Sequence, residues 1–180
     1  YRNVHHYTSL GAYYCYAAYR KSLGLSVSSL AEYKSEILCD NFFGTSYAKV
    51  NYPFAKPDTI TAYYQNSART VSYNSGDYVT ESIYERKYLD GKDQYAVFLN
   101  SNQAQTVIQG SGKSGKLLMI KDSYGNTFAQ FPSEDYAEVH MLDLRFYRGS
   151  VEEYIQANGI TDVLVLYGVP NFANDVTIHA

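Results

Sequence analysis

The chain contains no tryptophan and only two cysteines and four prolines in 180 residues. With Cys15 and Cys39 alone it can close one disulfide or none. That excludes a secreted framework stapled by cysteines, and the pair lacks metal-site spacing. Charge is sparse too. Charged residues make up 18%, and 15 Lys+Arg against 18 Asp+Glu leave a net charge of -3. This balance excludes a highly charged disordered chain and argues against a nucleic-acid footprint. No apolar run reaches the roughly 18 residues that a membrane-spanning helix needs. No secretory leader is visible at the start, which is polar and contains histidine. The G-x-G-x-x-G, paired C-x-x-C and H-E-x-x-H motifs are also missing.

Tyrosine is abundant, with 21 copies, and hydrophobic residues make up 46% of the chain, enough for the core of one domain, residues 1–180. Tyrosine joins a large apolar ring to a polar tip. So many copies imply half-buried aromatic positions, along a groove or through a thin core, unless tyrosine simply replaces phenylalanine.

Thr8 or Ser9 can cap a helix running to about Leu23, with Leu10, Tyr13, Tyr14, Ala17 and Ala18 at the spacing of one apolar face. Gly24 ends it. A shorter helix is predicted over Leu30–Leu38, after Ser28 or Ser29. From Phe42 to Ile108 the texture turns β-rich. Short Tyr, Val and Thr segments (Thr59–Tyr64, Arg69–Tyr73, Tyr95–Leu99, Gln105–Ile108) alternate with turn signals, and Pro53 and Pro57 belong in loops. From Lys116 the pattern becomes strand, helix, strand, helix, strand. The strands are Leu117–Ile120, Glu138–Leu142 and Asp162–Tyr167. The helices lie at Thr127–Gln130 and at Ser150–Ala157, the second stopped by Asn158-Gly159. This predicts a parallel, three-layer α/β core.

Gly110-Ser111-Gly112-Lys113-Ser114-Gly115-Lys116 nearly spells a phosphate-binding loop. Leu117 stands where Ser or Thr would hold magnesium, however, and the glycines lead into a strand rather than a helix. A flexible turn is expected there.

Ligands of parallel α/β folds collect at the carboxyl ends of strands. Ser123 lies at such an end, before a helix. It can present a hydroxyl there, or it can cap the helix. A histidine can take a serine proton and return it to a leaving group. His5 and His6 precede the first helix, and as neighbours in sequence they do not converge on a metal. His140 lies on a strand, where a hydrogen-bonded interfacial histidine is expected, and His179 lies beside the terminus. Arg145 can pair with Asp143 or present its fork to an anionic substrate. Asp122 adjoins Ser123, but consecutive side chains diverge, so it is not assigned to orient a base.

Val4-His5-His6-Tyr7-Thr8-Ser9-Leu10-Gly11-Ala12 and Lys121-Asp122-Ser123-Tyr124-Gly125-Asn126 resemble the D-H-H-W-T-x-L-G-A and K-D-S-[YF]-x-N signatures of the bacterial DHHW family. Phe43-Gly44-Thr45, Lys56-Pro57-Asp58 and Phe98–Asn102 match landmarks between them. Val139–Arg145 and Asp162–Tyr167 match landmarks beyond. The resemblance implies an SGNH-hydrolase-like, flavodoxin-like three-layer fold with a β-rich excursion over residues 42–108. It also implies kinship to the acetyltransferase-like proteins of alginate export. In that relationship Ser123 is the nucleophile, His6 its base, and Asn102 an oxyanion-hole residue beside the Ser123 amide, with no cofactor and no metal. The implied activity is that of a serine esterase or O-acetyltransferase on acylated cell-envelope glycan, secreted or surface-associated in a Gram-positive bacterium. The alternative is a non-catalytic protein that binds glycan or an assembly partner through the same cleft.

Four positions depart from the family pattern. Val4 replaces the acid that orients the histidine, which implies weak or lost activity. Tyr7 replaces Trp, Ser101 a usual glycine, and Gln103 a usual histidine. The strand and loop that usually precede the histidine motif are not in this sequence, as expected of either a piece of a longer protein or a shortened domain.

Overall fold

The computed structural model describes residues 1–50, 52–65 and 68–174. Its elements in chain order are α1 (Ser9–Ser22), β1 (Lys34–Phe42), α2 (Thr45–Val50), β2 (Asp58–Tyr64), β3 (Val71–Tyr73), β4 (Tyr78–Thr80), β5 (Gln105–Gln109) and β6 (Lys116–Lys121). They continue with α3 (Tyr124–Phe128), α4 (Pro132–Asp135), β7 (Glu138–Leu142), α5 (Val151–Asn158), β8 (Asp162–Leu166) and α6 (Val169–Asn174). His179 lies outside the described residues.

Helix α1 starts where its cap predicts, with Thr8 Oγ1 accepting from the Gly11 N–H at 3.1 Å. The face it buries is different from the predicted one. Tyr14 is 64% exposed and Leu10 39%, whereas Ser9, Ala12 and Tyr16 are buried. Small side chains at 9 and 12 let the helix lie close to its neighbours, and the Tyr16 ring stacks on Phe131 at 5.6 Å. The predicted helix over Leu30–Leu38 is instead one 3-10 turn, Leu30–Glu32, closed by a Ser29–Glu32 capping box and followed by β1. Pairing overrides local propensity here, since Ile37 lies opposite Thr61 and Cys39 opposite Ile60 in an antiparallel ribbon with β2. The predicted strand over Tyr95–Leu99 is another 3-10 turn, Gln94–Val97, whose apolar side chains enter the core. Cys15 and Cys39 are free thiols.

The main sheet has the order β4-β3-β5-β7-β6-β8. Strand β6 runs parallel to β7 and to β8. The expectation of a wholly parallel sheet is corrected: β5 pairs antiparallel with β7, and the β3–β4 hairpin extends that side, so the sheet is mixed. The reason is connection length. The Gly110–Gly115 turn is too short to carry the chain back along the sheet, so β6 enters running opposite to β5, and β7, which is parallel to β6, is antiparallel to β5.

That turn is packed rather than flexible. The N–H groups of Gly110, Ser111 and Gly112 donate to carbonyls of Ala137, Ser133 and Tyr136 at 2.8, 2.8 and 3.0 Å. A Cβ at Gly110 or Gly112 would sit 2.0 or 1.9 Å from a backbone oxygen. The glycines therefore serve close backbone approach, and their amides are occupied.

The apolar run of β6 is buried on both faces. Leu117 and Met119 join the larger core with Phe128, Phe131 and Met141, while Leu118 meets Leu142 and Tyr154 beneath α5. Because β6 and β8 run in the same direction, their carboxyl ends lie together, and Ser123 follows the end of β6 by two residues.

Candidate active site

The turn after β6 is pinned by Asp122, which is fully buried. Its Oδ1 accepts the Tyr124 N–H at 2.9 Å, and its Oδ2 accepts the Gly168 N–H at 2.9 Å and Asn171 Nδ2 at 2.7 Å. Asp122 therefore ties the start of α3 to the segment after β8 and does not touch His6. Ser123 precedes α3 without capping it. Its Oγ lies instead 2.7 Å from His6 Nε2.

His6 reaches that place because the segment before α1 is anchored. The Arg2 and Asn3 N–H groups donate to Asp58 Oδ2 at 2.8 and 2.9 Å, and Asn3 Nδ2 donates to the Lys56 carbonyl at 2.8 Å. The Asn3 carbonyl accepts from Ser46 and Tyr47 of α2. Gly44 packs directly on Val4, where an added Cβ would come within 2.5 Å of the Val4 Cβ. The imidazole of His6 stacks on Tyr95, centroids 3.9 Å apart and planes at 0°, and meets Tyr124 edge-on at 5.2 Å. Two further hydroxyls link the histidine and serine segments. Tyr124 donates to the His5 carbonyl and Tyr7 to the Tyr124 carbonyl, each at 2.6 Å. Tyrosine at position 7 thus uses its phenol to reach across the site.

His6 Nδ1 is buried and has no hydrogen-bond partner among the described residues. Val4, itself buried, lines the same cavity. Burial, with His5 adjacent, pushes the His6 pKa down to about 3, so the ring is neutral over the physiological range.

Ser123, His6 and Asn102 all line one cavity of about 330 Å³. Asn102 follows a backbone stretch with positive φ at Leu99, Asn100 and Ser101, at 55°, 54° and 68°. Gln103 helps hold that stretch, donating to the Asn100 carbonyl at 2.5 Å and accepting from Asn74 at 3.0 Å. Asn126 donates to the Ser101 carbonyl at 3.1 Å and to Asn102 Oδ1 at 3.3 Å. Its own Oδ1 accepts from buried Lys121 at 2.9 Å. Asn102 is thus held through its Oδ1 at the cavity wall. Burial lowers the Lys121 pKa to about 8 against the raising effect of Asp143. Reading the sequence alone misses the roles of Lys121 and Asn126, although both stand in the K-D-S-x-x-N segment; it also misses those of Asp58 and Tyr95.

Arg145 forks onto Asp143 at 2.8 and 2.6 Å and also lines the cavity, so it sits on the Ser123 side of the sheet. His140 is an interfacial histidine, bonded to Tyr154 Oη at 2.8 Å and Glu138 at 2.9 Å. Among the described residues no group of three His, Cys, Asp or Glu side chains is placed to hold a metal ion.

A mixed α/β fold that sets a serine–histidine pair in a cleft beyond the carboxyl end of β6 defines the structural class. The chain belongs to the DHHW family, whose sequence model, described as DHHW protein, matches residues 1–142. It is similar in structure to a DHHW family protein from Eubacterium siraeum, with a TM-score of 0.84, 28% identity, and coverage of 98% of this chain and 61% of that one. It is similar in fold to Bacillus cereus PatB1, with a TM-score of 0.77, 21% identity, and coverage of 98% of this chain and 64% of that one. A second structure, PatB1 with a sulfonyl adduct, gives a TM-score of 0.77 at 20% identity, covering 98% and 62%. The chain thus spans under two thirds of the length of each of these proteins. No curated protein matches it.

Proposed function

We propose that the chain is a serine-dependent acyl-transfer protein of the SGNH type, an esterase or O-acetyltransferase acting on acylated cell-envelope glycan. The 2.7 Å contact of His6 Nε2 with Ser123 Oγ inside the cleft carries this reading. Ser123 Oγ attacks the acyl carbon while its proton passes to His6 Nε2. The carbonyl oxygen becomes an oxyanion, to which Asn102 Nδ2 and the Ser123 backbone N–H donate. Collapse expels the alcohol, which takes the proton from His6 and leaves acyl-Ser123. Water or a glycan hydroxyl then attacks the acyl-enzyme, giving hydrolysis or transfer and restoring the serine. No step is assigned to a metal or cofactor.

The same kinship supports an extracytoplasmic location. Among the described residues no helix is long and apolar enough to cross a membrane.

Val4 and the unpartnered His6 Nδ1 favour a second reading, a relative that binds glycan or an assembly partner in the same cleft without chemistry. A serine-reactive phosphonate probe and acetyl-ester turnover, applied to the parent and to Ser123→Ala, separate the two. Labelling and turnover that vanish in Ser123→Ala are expected. Equal labelling and equal turnover in both proteins would leave only the binding reading.

A further inference from the structure

We infer that Tyr95 is the positioning residue of His6, holding the imidazole in register with Ser123 in the place of an orienting carboxylate. The inference deepens the acyl-transfer reading and rests on it. A histidine base needs its ring plane fixed, and it needs its cationic form stabilised once it has taken a proton. A carboxylate on Nδ1 supplies both. Here Nδ1 has no partner among the described residues, so the ring must be held through its faces.

The Tyr95 ring lies parallel beneath the imidazole at 3.9 Å and 0°. Rotation of the imidazole about its Cβ–Cγ bond would drive one edge into that ring. Tyr95 is itself fixed, fully in the core, with Oη 2.5 Å from Thr127 Oγ1 and its ring 5.3 Å from Phe98. Its Oη also donates, at 3.4 Å, to the carbonyl of Ser123. One side chain therefore touches the base and the backbone of the nucleophile, two residues 117 positions apart in sequence. The electron-rich face of Tyr95 also attracts the imidazolium that forms on proton transfer. The other contacts on His6 are weaker clamps: His5 is tilted by 39°, and Tyr124 approaches edge-on.

The test compares the parent with Tyr95→Leu, which removes the ring, and Tyr95→Phe, which keeps the ring and loses the hydroxyl. Circular dichroism checks that each is folded. Acetyl-ester kcat and KM and the ¹⁵N resonances of His6 are measured across pH. In Tyr95→Leu, kcat falls by about tenfold to a hundredfold with KM little changed, as for a misaligned catalytic group. Its His6 resonances also change tautomer balance and titration midpoint. Tyr95→Phe, which keeps the stacked ring but gives up the Oη contacts with Thr127 and the Ser123 carbonyl, loses clearly less than Tyr95→Leu in both readouts. If turnover depends on Ser123 but Tyr95→Leu leaves kcat and the His6 resonances unchanged, the positioning role is overturned while the acyl-transfer reading stands. Equal losses in Tyr95→Leu and Tyr95→Phe overturn it as well. If the parent shows no Ser123-dependent turnover, the acyl-transfer reading fails instead. The His6 resonances then decide the positioning role: a larger response to Tyr95→Leu than to Tyr95→Phe supports it, and any other pattern overturns it.

Discussion

A neutral imidazole carries one N–H, and at His6 its two possible places are unequal. With the proton on Nδ1, Nε2 is free to accept from Ser123, but a buried donor is left unsatisfied, which costs about 1–3 kcal/mol. With the proton on Nε2, Ser123 Oγ becomes the acceptor and cannot be deprotonated by that nitrogen. The unpartnered Nδ1 therefore tilts the resting state toward the unproductive tautomer. Val4→Asp would supply the acceptor two residues away. Turnover of an acetyl ester is expected to rise at least about tenfold, well inside the effect of losing such an acid in the serine-protease example. The pH profile gives a second signature. In the parent the His6 pKa is pushed to about 3, so kcat/KM holds level as pH falls from neutrality and declines only near that value. A carboxylate beside the ring favours the imidazolium, so in Val4→Asp the acid limb moves up toward or beyond the ordinary 6.5. Superimposable pH–rate profiles of parent and variant would remove His6 as the base. The stability sign runs in the same direction in the parent. Between 6.5 and about 3 the unfolded chain binds a proton that folded His6 refuses, so this group lowers stability as the solution is acidified.

At the scale of elements, the turn over Leu99–Ser101 has three consecutive non-glycine residues at positive φ. Such backbone costs L-residues about 1–2 kcal/mol each, and it persists only where surrounding bonds impose it. Here Leu99 N–H donates to the Ile83 carbonyl at 2.9 Å, Ser101 N–H to that of Ala96 at 3.2 Å, and Tyr88 Oη to Asn100 Oδ1 at 2.6 Å. The φ of 68° at Ser101 also explains why the family pattern favours glycine there. Ser101→Gly is expected to stabilise the protein by about 0.5–1 kcal/mol, relieved strain being partly offset by added freedom in the unfolded chain. Urea unfolding of the two proteins checks this, and a lower midpoint for the variant would refute the strain. None of this turn is legible locally, because Phe98-Leu99-Asn100 reads as the end of an apolar strand. Elements with strong local signals are legible: the Thr8 cap of α1, the Ser150 cap and Asn158-Gly159 stop of α5, and the apolar runs of β6 and β8. β1 misleads because its partner strand, not its own spacing, makes it extended. The buried face of α1 misleads because close packing selects Ser9 and Ala12 over bulkier Leu10 and Tyr14. The site follows the same division. Ser123, His6 and Asn102 stand in recognisable motifs, whereas Tyr95 acquires its role only when packing brings it under His6.

For the molecule as a whole, the dyad is an assembled object. Ser123 is carried by β6, which lies between β7 and β8 in the six-stranded sheet, and that sheet has a core on each face. His6 is carried by a segment before α1 that lies in no strand, and its chief anchor is the buried carboxylate of Asp58. Asp58 accepts from the Arg2 and Asn3 backbones and from the side chains of both residues, at 2.8 to 3.2 Å. Removing the carboxylate leaves those donors unsatisfied at the start of β2, while the β6 core and the Asp122 turn keep their own bonds. Asp58→Ala is therefore expected to destabilise by about 1–3 kcal/mol, and to slow probe labelling of Ser123 far more than that loss of folded population would. The comparison is made at a temperature where circular dichroism shows the variant fully folded, so that the labelling rate reports the placement of His6 rather than the amount of native protein. A release confined to the first residues is an opening of low local free energy on an otherwise stable sheet. Hydrogen exchange should then show faster exchange at Asn3, Ser46 and Tyr47, whose amides belong to this anchor, with Leu118 and Met119 of β6 unchanged. If Ser123 in the folded variant labels at the parent rate, His6 is held without Asp58, by the tyrosine contacts at positions 95 and 124 together with the remaining bonds of Asn3.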